Sequence, residues 1–302
     1  MTKLRLSINE FLNAAPLAWG LTDGPLADRY NLSFALPARC AEALRQGDAD
    51  LAIIPAIEYQ RIDNLALLPG MSVAAKAEVR SILVVSKRPI QRVQRIALDT
   101  SSRSSAALVR VLCRSHWKIQ PEFVEMEPDA SAMLASADAG LVIGDPALRI
   151  AVKMDTLATR QSNGEQCCEG DPKDMPVPGF DTLYVYDIGF QWREMTGVPC
   201  VLAVWAGRKD AITLQVIADL QASLAFGLEH LSDIAEGASF KLELPAPALE
   251  KYLRENLNYS LDSANLAGLQ HYYDECASAG IIPRARPIQW AEAATPAPAA
   301  QD

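Results

Sequence analysis

Four stretches limit the folds open to this chain: LAII (51–54), VRSILVVS (79–86), AGLVI (139–143) and VLAVW (201–205). A strand with one wet face alternates apolar and polar residues. Unbroken apolar runs of strand length belong in a sheet covered on both sides. Between them lie segments of helical period. In RCAEALRQG (39–47) Ala41 and Leu44 face inward and Gly47 ends the helix. DTSSRSSAALVRVL opens a helix over about 103–116, and Leu249, Leu253 and Leu257 make an inward stripe within 246–258. Strands separated by helices predict an α/β protein built from βα crossovers.

Residues 91–195 read as a complete α/β unit, with strands 79–86 and 198–205 as candidate crossovers. One lobe is therefore expected to be interrupted by another, with a ligand in the cleft between them. The expected ranges are 1–88 and 199–285 for the first lobe, 89–198 for the second and 286–302 for a flexible tail. The polar stretch 160–179 reads as a surface loop, and 210–232 and 266–280 as helices.

The net charge of −9 and the lack of a lysine or arginine stripe argue against nucleic acid, though not against a small anion. No stretch reaches the roughly 18 apolar residues of a membrane span. The amino-terminal segment lacks the apolar core of a signal peptide. Six scattered cysteines without a CxxC pair predict reduced thiols in a cytoplasmic protein. The three histidines, His116, His230 and His271, fall in no metal-binding motif, so neither metal nor cofactor is expected.

Two motifs carry possible chemistry. In DTSSRSS, five hydroxyl residues and Arg103 sit where a strand gives way to a helix. They can cap free amides, or Thr100, Ser101, Ser102 and Arg103 can hold a carboxylate or phosphate; both readings can coexist. In SINEFLNAAP, Asn13 follows a strand and can form an Asx turn or hydrogen-bond a ligand at the strand's carboxyl end. Ser81 opens a buried strand without a nearby histidine or a GxSxG motif. Asp145, in LVIGDPAL, and Glu58, in PAIEYQR, can each cap a helix or orient a ligand.

RLSINEFLNAAPLAWGL (5–21), GDADLAIIPAIEYQRI (47–62), the VRS…DTSSR region (79–112), LVIGDPAL (141–148), YDIGFQWREMTGVPCVLAVW (186–205) and the segment 252–282 occur in colinear order. Together they resemble the chorismate dehydratases of the futalosine-pathway menaquinone biosynthesis family. The resemblance implies a two-lobed fold like the type II periplasmic binding proteins, with an inter-lobe cleft. It further implies a hydro-lyase that takes water from chorismate, a small dicarboxylate, to give 3-(1-carboxyvinyloxy)benzoate.

By the same resemblance, Asn13 and Ser81 are the catalytic residues. Thr100, Ser101, Ser102, Arg103 and Asp145 are expected to bind substrate. Neither Asn13 nor Ser81 is a good base at neutral pH, and the substrate's own enolpyruvyl carboxylate is one candidate to take the proton. One departure is Ala56, where the family usually has serine. Two rivals stand beside this reading. One is the sister enzyme that forms 1,4-dihydroxy-6-naphthoate from cyclic dehypoxanthine futalosine. The other is a cytoplasmic anion-binding protein without turnover. Homodimerisation is compatible with the sequence, but no segment marks a surface for it.

Overall fold

The computed structural model describes residues 3–291 except 158 and 163. The apolar runs form two mixed sheets. The first contains β1 (Arg5–Asn9), β2 (Asn31–Ala35), β3 (Leu51–Pro55), β4 (Leu65–Ala75) and β12 (Cys200–Arg208), in the order β2-β1-β3-β12-β4. The second contains β5 (Ile82–Ser86), β6 (Arg95–Asp99), β7 (Glu122–Met126), β8 (Ala139–Ile143), β9 (Thr159–Ser162), β10 (Glu165–Glu169) and β11 (Thr182–Asp187). Its order is β7-β6-β8-β5-β11-β10-β9.

The two sheets repeat one plan. Each has three parallel strands followed by an antiparallel one from a distant part of the chain: β12 beside β3, and β5 beside β8. The chain leaves the first sheet between Ala75 and Ile82 and returns between Asp187 and Cys200. Strand β5 thus pairs in the second sheet although it lies within the range 1–88 expected for the first lobe. Its five buried residues need neighbours on both edges, and β8 and β11 supply them.

One continuous apolar core runs from Leu6 to Ile282 through both sheets, with Trp192, Trp205, Tyr252, Tyr272 and Tyr273 fully buried. The helix Arg103–Ser115 buries Ala107, Leu108, Val111 and Leu112 in it. Each large aliphatic side chain so placed contributes about 1.5–3 kcal/mol. The helices Ala15–Thr22 and Leu214–Glu229 cross closely because Gly20 and Gly227 face each other's partners. A Cβ on Gly227 would lie 2.1 Å from the Pro16 carbonyl oxygen.

Three expectations change. The stretch 160–179 is only partly loop, because β9 and β10 form an antiparallel hairpin around Gly164, at φ +72°. All four residues of β9 are exposed, so no apolar alternation signalled it. Strand β4, which no sequence pattern marked, carries Pro69 and Gly70 inside it, Gly70 at φ +81°. The single helix expected over 210–232 is the helix Leu214–Glu229, and a second, Leu231–Leu242, follows. Finally, residues 286–291 are fastened to the first sheet. Arg286 donates to Asp63 Oδ1 (2.5 Å) and to the carbonyls of Tyr59 and Ile62, and Ala291 N donates to Leu67 O (2.9 Å). The rest of the tail, 292–302, lies outside the described residues.

Candidate active site

The carboxyl ends of β1, β2, β6 and β8 meet between the sheets, and each leads into a helical turn whose first amides have no intrahelical partner. Four helix starts therefore point at one place: Leu12–Ala14, Pro37–Gln46, Arg103–Ser115 and Gly144–Thr156. The polar residues lining the cavity there are Asn9, Asn13, Ser102, Ser104 and Ser105, and Gly144 adds backbone. Phe11, Ile53, Ile82, Ile143 and Leu202 are among the apolar walls, and no charged side chain lines it. Aligned helix dipoles make such a place favourable to negative charge.

The cavity measures ≈ 40 Å³. That suits a few waters, not a dicarboxylate. Contacts across the cleft hold it in this closed form. Leu12 N donates to Asp145 Oδ1 (3.0 Å), Ala38 N to Ser101 O (3.2 Å) and Ile57 N to Ser104 Oγ (3.2 Å). On the far side Arg149 Nε donates to Leu242 O (2.8 Å).

Asn13 lies in the cavity wall. Asn9 Nδ2 donates to its Oδ1 (3.0 Å), and Asn9 Oδ1 accepts from Phe11 N (3.1 Å). This chain fixes the orientation of the Asn13 amide and leaves Nδ2 as its free donor. Ser102 also lines the cavity and makes no capping hydrogen bond of its own. Ser81 sits just behind the wall, next to Ile82, and its carbonyl accepts from Gly144 N (2.8 Å). Its hydroxyl is buried without a hydrogen-bond partner. The Tyr252 hydroxyl lies near it but outside hydrogen-bonding geometry.

The remaining expected residues are turned elsewhere. Asp99 Oδ1 accepts from Ser101 N (2.7 Å) and Ser101 Oγ (2.6 Å), which closes the turn and buries Ser101. Thr100 is left exposed, with Oγ1 3.4 Å from Glu127 Oε1. Arg103 does not line the cavity, because its guanidinium is drawn to Glu58 Oε2 at 2.8 Å. Glu58 is fully buried and also meets Arg45 (2.6 Å) and Arg61 (3.0 Å). Burial works against its charge, but the three arginines, Arg103 foremost, overcome that and hold its carboxyl below the usual range. Asp145 borders an adjoining groove rather than the cavity. Burial pushes its carboxyl up, and the Leu12 amide opposes that shift. The DTSSRSS segment and Asp145 are thus fastenings between the sheets, and only Ser102, Ser104 and Ser105 turn toward the cavity.

Gly144 is placed by necessity. Its φ is +63°, and a Cβ there would meet the Phe11 ring at 2.7 Å. Asn9, Phe11 and Gly144 were not singled out from the sequence, and Ser104 and Ser105 only as members of the hydroxyl-rich stretch. The nearest available signal was a second asparagine at the end of a strand.

A sequence model described as menaquinone biosynthesis matches residues 4–278. The chain belongs to the menaquinone biosynthesis family. Within reach of this member is a chorismate dehydratase of Thermus thermophilus, 26% identical over 269 residues, which cover 88% of this chain and 93% of that relative. Among solved structures, protein AF1704 of Archaeoglobus fulgidus superposes with a TM-score of 0.70 at 20% identity, covering 93% of this chain and 98% of the other. The alkanesulfonate-binding protein SsuA of Xanthomonas axonopodis pv. citri, solved bound to MOPS, gives 0.60 at 15% identity, covering 95% and 96%. These likenesses show a fold of the periplasmic-binding-protein type, as the repeated sheet plan already indicates. In this family member, no described helix is long and apolar enough to cross a membrane.

Proposed function

We propose that this protein is a chorismate dehydratase of the cytoplasm, a hydro-lyase that converts chorismate to 3-(1-carboxyvinyloxy)benzoate. The observation that carries the reading is the cavity between the sheets. In a member of this family it gathers helix starts, an oriented asparagine amide and hydroxyls, with no charged side chain. Such a lining suits a conjugated dicarboxylate whose charge shifts during reaction. The similarity to the Thermus thermophilus enzyme supports the same substrate.

The chemistry is an elimination. The C3–H bond breaks, its electron pair enters the ring, the C4–O bond breaks and the ring becomes aromatic. The hydroxide released takes up the proton and leaves as water. Asn13 Nδ2 donates to the departing C4 oxygen, and the Ser81 hydroxyl, free of any other partner, donates to the ring carboxylate. Ser102, Ser104, Ser105 and the first-turn amides of Arg103–Ser115 hold the second carboxylate. The enolpyruvyl carboxylate is positioned as base by these contacts. Ser104 Oγ accepts from Ile57 N, the amide after Ala56. Thr100, Ser101, Arg103 and Asp145 act on the closure of the site rather than on substrate.

Substrate needs more room than ≈ 40 Å³. The two lobes therefore open about the segments 76–81 and 188–199 and close over bound chorismate, excluding water. The test is incubation of the purified protein with chorismate, followed by chromatography and mass measurement. Loss of one water with retention of the enolpyruvyl group is expected, strongly slowed in N13A and S81A. Recovery of unchanged chorismate by folded protein would remove the reading and turn attention to cyclic dehypoxanthine futalosine.

A further inference from the structure

Outside the cleft, a groove of ≈ 1080 Å³ runs along the helix Arg103–Ser115, between β7 and residues 279–281. Five cationic side chains line it, Arg61, Arg103, Arg110, Arg114 and Lys118, against two carboxylates, Asp99 and Glu125. In a chain of net charge −9 such a concentration is not a matter of composition. Arg103, Arg110 and Arg114 recur at spacings that place them on one helix face, and Lys118 follows just beyond the helix end.

The cations differ in what they already hold. Arg61 and Arg103 are committed to Glu58. Arg110, Arg114 and Lys118 make no ion pair among the described residues. Arg114 donates to the Ser278 carbonyl. Arg110 lies over the Phe123 ring, 4.4 Å from its centre, which leaves the guanidinium edge free to donate. Lys118 is held at φ +56°, in the left-handed region where glycine is the usual residue after a helix. Around it, Trp117 N donates to Leu112 O (2.8 Å) and Ile119 N to Cys113 O (2.8 Å), so the turn is imposed by the helix end. A lysine kept in a conformation that glycine adopts more easily points to a use for its charge. Ile119, Pro121, Phe123 and Ile281 supply apolar wall.

We propose that this groove is a second binding site, for a small dianion such as an aromatic dicarboxylate or a phosphate, held by Arg110, Arg114 and Lys118. It is separate from the cleft, sharing only Ser102 with it, and does not depend on the dehydratase reading. An aromatic ligand extends the Arg110–Phe123 stack, and its two charges take the free guanidinium edge and the Lys118 ammonium.

The test is calorimetric titration of the full chain with isophthalate and, separately, with inorganic phosphate. The proteins compared are the wild type, the double variant Arg110→Glu/Lys118→Glu, the milder Arg110→Gln/Lys118→Gln, and Asn13→Ala as a cleft control. Thermal melts establish that each is folded. We expect at least one probe to bind the wild type, with affinity falling as salt rises. Charge reversal should weaken that binding by ~10-fold or more, and Asn13→Ala should leave it unchanged. The glutamine pair should fall between, and it serves as the test if charge reversal prevents folding. Preference between the probes identifies whether the site favours carboxylate or phosphate. The proposal is overturned if the wild type binds neither probe at millimolar concentration. It is also overturned if the folded groove variants bind as tightly as the wild type, or if only Asn13→Ala loses binding.

Discussion

Ser81 and Gly144 sit side by side, yet their substitutions should have opposite signatures. The Ser81 hydroxyl is buried without a partner, so S81A removes an unsatisfied group and should leave the melting temperature unchanged or slightly raised. If the hydroxyl donates to substrate, kcat/KM should fall by about 100-fold, the scale for losing one positioned donor. Measuring both on one preparation separates a catalytic role from a structural one. Gly144→Ala forces a side chain into left-handed backbone and against Phe11. It should cost about 1–2 kcal/mol of stability, seen in denaturant unfolding, and reduce activity together with it. Glu58 gives a third case. Glu58→Gln leaves three arginines around a neutral group and should destabilise by about 3 kcal/mol at pH 7. Because its folded pKa is depressed, its contribution is present above its unfolded pKa and is lost as pH falls through the folded value. The gap between wild type and E58Q should therefore narrow in acid.

Elements are joined by residues whose role is invisible in their own segment. Asp187 caps the helix Ile188–Thr196 through Phe190 N (3.0 Å), while the same carboxylate accepts from Val79 N (3.0 Å) and Arg80 N (2.6 Å). It ties the end of β11 to the segment leading into β5. Burial pushes its carboxyl up to about 6, against the pull of those three amides. A raised folded pKa means the stabilising difference is full below the unfolded pKa and disappears as pH rises through about 6. Relative to D187N, the wild type should therefore lose stability between about pH 4 and pH 6, by roughly 3 kcal/mol for a two-unit shift. Denaturant midpoints across that range measure it, and a flat difference would contradict it. The last described segment is equally tied. Arg286→Ala should cost about 2 kcal/mol by removing hydrogen bonds from a charged donor, lowering the melting temperature by several degrees.

At the scale of the molecule, the cleft is shut by contacts drawn from both sheets: Leu12 with Asp145, Ala38 with Ser101, Ile57 with Ser104, and Arg149 with Leu242. Ligand-free protein in solution should populate a more open form, since ≈ 40 Å³ admits no dicarboxylate. Small-angle scattering should then show a smaller radius of gyration on adding chorismate to a slow variant such as N13A. An unchanged radius at saturation would mean that access does not require lobe opening.

The α/β class and the position of most elements were legible in the sequence, because apolar continuity and helical period are local consequences of burial. Ala41, Leu44, Leu249 and Leu253 face inward as their spacing requires, whereas Leu257 is buried from extended backbone just past the last helical turn. The helix Arg103–Ser115 begins where its hydroxyl-rich turn suggests. Motif order was enough to indicate the family. The elements that were missed lacked that local signal: β9 is an exposed edge, and β4 carries Pro69 and Gly70. What only the tertiary structure decided is the direction of each polar side chain. Arg103 reads as an anion ligand until Glu58, 45 residues earlier, is seen to hold it. Asp145 reads as a cap or ligand contact until it accepts from Leu12, 133 residues away. Asn9 acquires meaning only because Asn13 turns back onto it. Burial leaves a periodic trace along the chain, whereas a hydrogen bond between distant residues depends on two positions whose separation in sequence carries no pattern.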